Sequence, residues 1–221
     1  RTLFMAAVFR PNAAVRSGVA AALVRPPPAS AGADVAALQP VAVLAGLGYV
    51  SWHLRRGDKV AEGFRTYDAA ATLPNLLAIV HATGVRHVFI ASDDPDESAA
   101  AARMLLARGL HPHFLHDAMP LGKTPSAEAA AVAARDAEAA SALVVDALAN
   151  VWALSGGVGL TAIFHSNFAR YSAELMFARG LVAAPFAWVD AAECDGEGLA
   201  HWSSAGTAGS DHYHPERDSY F

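Results

Sequence analysis

Gly48-Tyr-Val-Ser-Trp-His-Leu54 is β-branched and aromatic with partial alternation. A helical pattern from Asp68 to Ala82 follows, closed by Gly84, and then comes His87-Val-Phe-Ile-Ala-Ser92, a short apolar run bounded by charge. Strand, helix and strand at this spacing predict a right-handed βαβ crossover and parallel pairing. The same rhythm continues outward. Asp96 to Arg108 is helical, with acids in its first turn and Gly109 just past its end, and His113-Phe-Leu-His116 reads as a weaker strand. After a loop marked by Pro120, Gly122 and Pro125, Ser126 and Glu128 open a helical region that runs to Leu154 and stops at Gly156-Gly157. Strand Gly159–Phe164, helix Asn167–Ala178 and strand Pro185–Val189 complete the series. The predicted class is α/β, a doubly wound, Rossmann-like parallel sheet with helices on both faces.

Organisation around this domain follows from punctuation. Pro26-Pro27-Pro28 cannot continue the helical pattern of Val19 to Val24, so residues 1–30 read as a helical lead-in and 31–190 as the Rossmann-like domain. From 191 to 221 the chain turns to Gly, Ser, Asp and His, the composition of an irregular tail.

Of 221 residues 54% are hydrophobic and 17% charged, enough for a substantial core, although 52 alanines inflate the apolar figure. A net charge of −5 with only two lysines, Lys59 and Lys123, argues against a surface for nucleic acid. The single cysteine, Cys194, excludes an internal disulfide and any multi-cysteine zinc site, and its Glu-Cys-Asp-Gly setting disfavours a nucleophilic thiolate. The longest apolar stretch, Val41–Trp52, is interrupted by glycines and is too short for a membrane span, which needs about 20 residues. The chain opens on Arg1 without a leader of signal-peptide form, so any anchor is expected upstream of it.

In an open parallel sheet the ligand crevice lies beyond the carboxyl ends of the strands. Three polar strand ends meet that rule: His53-Leu-Arg-Arg-Gly-Asp-Lys59, Ser92-Asp-Asp-Pro95 and His165-Ser-Asn167. There is no glycine-rich dinucleotide fingerprint after the first strand, and Gly122-Lys123-Thr124 has Asp117 where a phosphate loop needs its first glycine, which argues against nicotinamide dehydrogenases and phosphate-loop enzymes. Alternation puts His53 and Arg55 on one face, Leu54 and Arg56 on the other. Arg55 suits a diphosphate, because a guanidinium forks onto two oxygens and keeps its charge. Arg56 then faces inward and needs a partner, Asp58 or the Asp93-Asp94 pair, which predicts an ion-pair network under the site. Two plainer readings stand beside these: Arg-Arg-Gly-Asp-Lys as a solvated, charge-balanced turn, and Asp93-Asp94 as a helix cap before Pro95-Asp96-Glu97.

His53-Leu-Arg-Arg-Gly-Asp-Lys59 resembles the His-x-Arg-Arg-x-Asp-Lys signature of the α-1,6-fucosyltransferases and, in shorter form, that of bacterial nodulation fucosyltransferases and protein O-fucosyltransferases. Val88-Phe-Ile-Ala-Ser-Asp-Asp-Pro95 is similar to their second motif. Leu143-Val-Val-Asp146 with Phe164-His-Ser-Asn-Phe-Ala-Arg170 and Glu174 is similar to their third, so the likeness spans residues 40–180 in order. The resemblance implies the C-terminal, donor-binding lobe of a two-lobed GT-B glycosyltransferase, with the acceptor lobe largely outside this chain. It implies an inverting fucosyltransferase that uses GDP-fucose as donor and a glycan or glycoprotein as acceptor, without a metal or other cofactor. In the family the setting is the Golgi or endoplasmic reticulum lumen for eukaryotic members and the cytosol for bacterial ones.

Carried over by position, the resemblance makes Arg55 the grip on the β-phosphate, His53 a neighbour of guanine, Asp146 the acceptor for the guanine edge and Ser166 a phosphate ligand, with Asn167 where the family often has Gln. Arg56, Asp58, Asp93 and Asp94 match residues that activity requires. Arg55, Lys59 and Glu62 fall at the catalytic positions, Glu62 near the family's base with one residue fewer after Lys59. Lys59 and Glu62 also read as an ordinary surface pair. Gly57 replaces a Thr, and the segment from Asp146 to Arg170 is about four residues longer than in the family, the excess falling on Gly156-Gly157-Val158-Gly159. A noncatalytic GDP-sugar-binding module and a transferase using another GDP-sugar are the alternatives.

The histidine clusters, His111, His113 and His116 with Asp117, and His201 with Asp211, His212 and His214, are read as structural or solvated rather than as metal sites. Trp52, Trp152 and Trp188 are expected in the core.

Overall fold

The computed structural model describes residues 13–24, 44, 46–56, 66–115, 137–163, 166–181 and 183–189. The elements in order are α1 (Ala13–Val24), β1 (Val50–Leu54), α2 (Ala69–Thr83), β2 (His87–Ser92), α3 (Pro95–Leu106), β3 (His111–His113), α4 (Ala137–Leu154), β4 (Leu160–Ala162), α5 (Asn167–Ala178) and β5 (Phe186–Trp188). Every strand pair is parallel, in the spatial order β3-β2-β1-β4-β5. This is a Rossmann-like α/β sheet flanked by helices. The order reverses direction at β1, so the crevice between the carboxyl ends of β1 and β4 is the topological switch point.

Alternation along β1 and β2 sorts side chains into two cores. Val50, Trp52, Leu54, Val88 and Ile90 pack with Leu73, Leu76 and Ile79 of α2 and Leu105 of α3. Tyr49, Phe89 and Ala91 face the other way, with Ala149 and Ala153 of α4, Ala173 and Met176 of α5 and Val19 and Ala22 of α1. Polar ties fix the layers. Trp52 Nε1 donates to Thr72 Oγ1 on α2 (3.0 Å), while Tyr49 OH and Ser51 Oγ donate to the carbonyls of Ala153 and Leu154 (2.5 and 2.7 Å), two of the acceptors left over at the end of α4.

Local signals act as the sequence suggests at several ends. Asp68 caps α2, accepting from the N–H of Ala71 at 2.7 Å, and Gly84 closes it at φ 69°, a conformation that costs glycine nothing. Gly157 is required for space: a β-carbon there would meet Ser51 Oγ, with the Ser51 nitrogen and Tyr49 oxygen 3.1 Å away. The Gly156–Gly159 turn therefore lies against the start of β1, where Val158 N–H donates to Tyr49 O (2.7 Å), at the end of the sheet opposite the crevice.

Two expectations need correcting. The third strand is His111–His113, not His113–His116, because pairing begins two residues earlier: the His111 N–H donates to Arg86 O (2.9 Å) and His87 stands opposite His111. Pro112 is tolerated there because β3 is the edge strand of the described sheet. Trp152 is 41% exposed rather than buried, while Trp52 and Trp188 are in the core. On α4 the sheet-facing positions are Ala149 and Ala153, one turn apart, which leaves Trp152 on the flank, where the Arg179 guanidinium lies 4.1 Å over its ring. Among the described residues no helix is long and apolar enough to cross a membrane.

Candidate functional site

The site is assembled where β1 ends. Parallel register sets Leu54 opposite Ser92, so Arg55 and Arg56 emerge beside Asp93. Arg55 Nη1 donates to Asp93 Oδ2 at 2.5 Å, and the backbone N–H of Arg56 donates to the other oxygen, Oδ1, at 2.9 Å. The Asp93 side chain is 2% exposed and that of Arg55 21%, so one buried carboxylate holds a cation that reaches solvent.

An ion-pair network is thus present, and Glu97 belongs to it. Arg56 pairs through its guanidinium with Glu97 Oε1 at 2.6 Å, while Asp58 lies outside the described residues. The reason is the face: Arg56 follows Leu54 toward the α2 and α3 side, where Glu97 stands in the first turn of α3. Asp94 takes the capping role, accepting from the N–H groups of Asp96 (2.9 Å) and Glu97 (3.3 Å). Glu97 is the residue that the sequence reading missed. It looks there like an ordinary first-turn acid, and its partners lie 41 and 28 residues away.

His53 lies on the Arg55 face, 4% exposed, with its ring stacked on Phe168 of α5 at 5.7 Å between centroids. Burial first, and the nearby Arg55 charge second, push its pKa down to about 3, so the imidazole is neutral at physiological pH. Its Nδ1 is buried without a hydrogen-bond partner among the described residues. Neutral imidazole carries one donor and one acceptor, so this histidine can take part in recognition without adding charge.

From the β4 side comes the start of α5. Ser166 occupies the N-cap position with extended backbone (φ −84°, ψ 116°), is buried, and makes no side-chain cap bond. Asn167, the first residue of the helix, is exposed and its Oδ1 accepts from Arg170. Helix N–H groups and the dipole at this end favour an anion. Asp146 is half-buried on α4, where its backbone carbonyl accepts from Asn150 Nδ2 at 2.9 Å. Tyr49 and Ser51 anchor the last residues of α4 to the start of β1, and eight residues at 1.5 Å each place Asp146 about 12 Å further toward the carboxyl edge. His53, Arg55, Arg56, Asp93, Asp94, Ser166, Asn167 and Asp146 therefore share that edge of the sheet. Asp58, Lys59 and Glu62 lie outside the described residues.

At the opposite end, His87 Nδ1 and His113 Nε2 are 3.0 Å apart, and the His87 ring lies 5.0 Å from that of His111. Burial, then the neighbouring His111, lower the His87 pKa. Among the described residues no group of three His, Cys, Asp or Glu is placed to hold a metal ion. His116, Asp117, Cys194 and the histidines of the tail are outside the described set.

A cation, a helix N-terminus and a neutral ring thus lie at the carboxyl end of the sheet, groups whose chemistry suits an anionic ligand. Compared with known proteins, the chain matches no family model and no curated protein.

Proposed function

We propose that this chain is the donor-binding lobe of an inverting, metal-independent fucosyltransferase of GT-B architecture, with GDP-fucose bound across the carboxyl ends of β1 and β4. The observation that carries the reading is the placement of Arg55. It stands on the face of His53, whose ring stacks on Phe168 in the first turn of α5, is held by a buried aspartate, and reaches solvent at the carboxyl end of β1. The resemblance of three ordered motifs supplies the identity of the nucleotide and sugar.

In this reading the bond between the fucose C1 and the β-phosphate oxygen breaks while an acceptor hydroxyl attacks C1 from the opposite side. The departing GDP gains negative charge, which Arg55 and the first N–H groups of α5 offset. Ser166 adds a hydroxyl at the same helix end. Asp146 accepts the N–H donors of guanine, a basis for preferring it to adenine. Glu62 takes the acceptor proton, with Lys59 beside it, and Asp93 and Asp94 keep the second loop in place. Acceptor, linkage and cellular compartment, the Golgi or endoplasmic reticulum lumen or the bacterial cytosol, belong to the same proposal.

The test is turnover of GDP-fucose, by hydrolysis or transfer, beside calorimetric GDP binding, each with and without a chelator. Turnover that survives chelation supports the proposal. GDP binding without turnover selects a noncatalytic module, tighter competition by another GDP-sugar selects a different donor, and loss on chelation points to metal-dependent chemistry.

A further inference from the structure

One carboxylate joins three elements beneath the site. Glu97 projects from the first turn of α3; its Oε1 accepts from Arg56 Nη1 (2.6 Å) at the end of β1, and its Oε2 accepts from the backbone N–H of Ala69 (2.9 Å), the first residue of α2. Its side chain is 15% exposed. The Ala69 N–H is one of the donors that a helix start leaves without an internal partner. Asp68 caps the same helix through a different donor, Ala71, so Glu97 adds a second cap from outside. Arg56 and Ala69 flank the connection between β1 and α2, the stretch of sequence that carries Asp58, Lys59 and Glu62.

We infer that Glu97 is a positioning residue that pins both ends of the β1–α2 connection through one carboxylate. The geometry needs two acceptors on one group. Only an ionised carboxylate supplies them, since an amide offers a single oxygen and turns its own N–H groups toward the other donor. Aspartate is shorter by one methylene and cannot span the same pair from the same backbone position. Arg55 is held separately by Asp93, so the proposed diphosphate grip and the two residues flanking the connection, Arg56 and Ala69, are held by different acids. The effect on turnover rests on the proposed transferase reading, whereas the clamp itself does not.

The full chain is compared with Glu97→Ala, Glu97→Gln and, as a control, Asp96→Ala, which removes a first-turn acid from the same helix. Amide hydrogen exchange at Ala69 is expected to rise about tenfold or more in Glu97→Ala, with protection in α4 and α5 unchanged and Ala69 in Asp96→Ala within about twofold of wild type. In GDP-fucose hydrolysis, kcat is expected to fall about tenfold to a hundredfold in both Glu97→Ala and Glu97→Gln, with KM changed by less than about threefold. Unchanged Ala69 exchange in Glu97→Ala, or a rise spread equally over α4 and α5, overturns the clamp. Wild-type kcat in Glu97→Gln overturns its two-acceptor role. If the wild-type chain hydrolyses no GDP-fucose, that failure falls on the transferase reading, and the exchange data decide the clamp alone.

Discussion

Arg55→Ala removes a cation from a carboxylate that cannot leave. Asp93 is almost fully enclosed, its second oxygen is committed to the Arg56 N–H, and the substitution strands a buried charge. Breaking such a pair costs about 3–5 kcal/mol when both partners are buried. Because the Arg55 side chain is one-fifth exposed, the lower end, about 3 kcal/mol, applies. In a chain of this size that lowers the melting temperature by roughly 6–12 °C. Two charge-assisted hydrogen bonds to a diphosphate are worth about 3 kcal/mol together, so GDP affinity should fall roughly 150-fold. Both effects follow from one substitution and must be separated. Arg55→Ala/Asp93→Asn does so, since the amide removes the stranded charge while its oxygen still accepts the Arg56 N–H. Thermal unfolding should recover about half of the lost stability, and calorimetry should show no recovery of GDP affinity. Arg55→Lys should behave in the converse way, keeping most of the stability and little of the affinity because an ammonium lacks the fork. Affinity that returns together with stability in the double variant would refute the ligand-binding role and leave Arg55 a structural residue.

The neutral His53 makes stability depend on pH. Since the unfolded chain takes up its proton near pH 6.5 and the folded chain only near 3, acid favours unfolding throughout that window, by at most about 1.4 kcal/mol per pH unit. Urea unfolding at pH 7 and pH 5 should show a loss in wild type that His53→Gln reduces; equal losses in both would mean that another group is responsible. Asp146→Ala should bring GDP and ADP affinities together while leaving the diphosphate grip, and a preserved preference in competition calorimetry would remove Asp146 as the base reader. Gly157→Ala forces a β-carbon against Ser51 and the β1 backbone and should cost about 1–3 kcal/mol in chemical denaturation, whereas an unchanged midpoint would show that the turn relaxes.

Periodicity and punctuation made the scaffold legible. The strand His87–Ser92 and the helix Asn167–Ala178 stand where their patterns put them, and the caps at Asp68 and Gly84 act as their residue types suggest. These features depend on a few neighbouring residues, which one stretch of sequence displays. Glu97 depends on the meeting of three elements, and nothing near it in sequence distinguishes it from Asp96. Alternation puts Arg56 on the face where it lies, but its pairing with Glu97 is set by how far α3 advances along that face, a length that no alternation encodes. Trp152 departs from its expected burial for a related reason: on an alanine-rich helix the small residues at 149 and 153 let α4 approach the sheet, and the large ring is left outside. The ties of Tyr49 and Ser51 to the end of α4 span more than 100 residues and were equally invisible.

Pro112 has a bearing on how this sheet meets other chains. In a parallel ladder successive residues offer their backbone groups to opposite sides, and His111 turns its N–H inward to Arg86. The residue aimed outward on this three-residue margin is therefore 112, and proline has no N–H to give. An extended segment arriving from another molecule finds no N–H at 112, so among the described residues lateral growth into a larger sheet is discouraged there by a single imino acid.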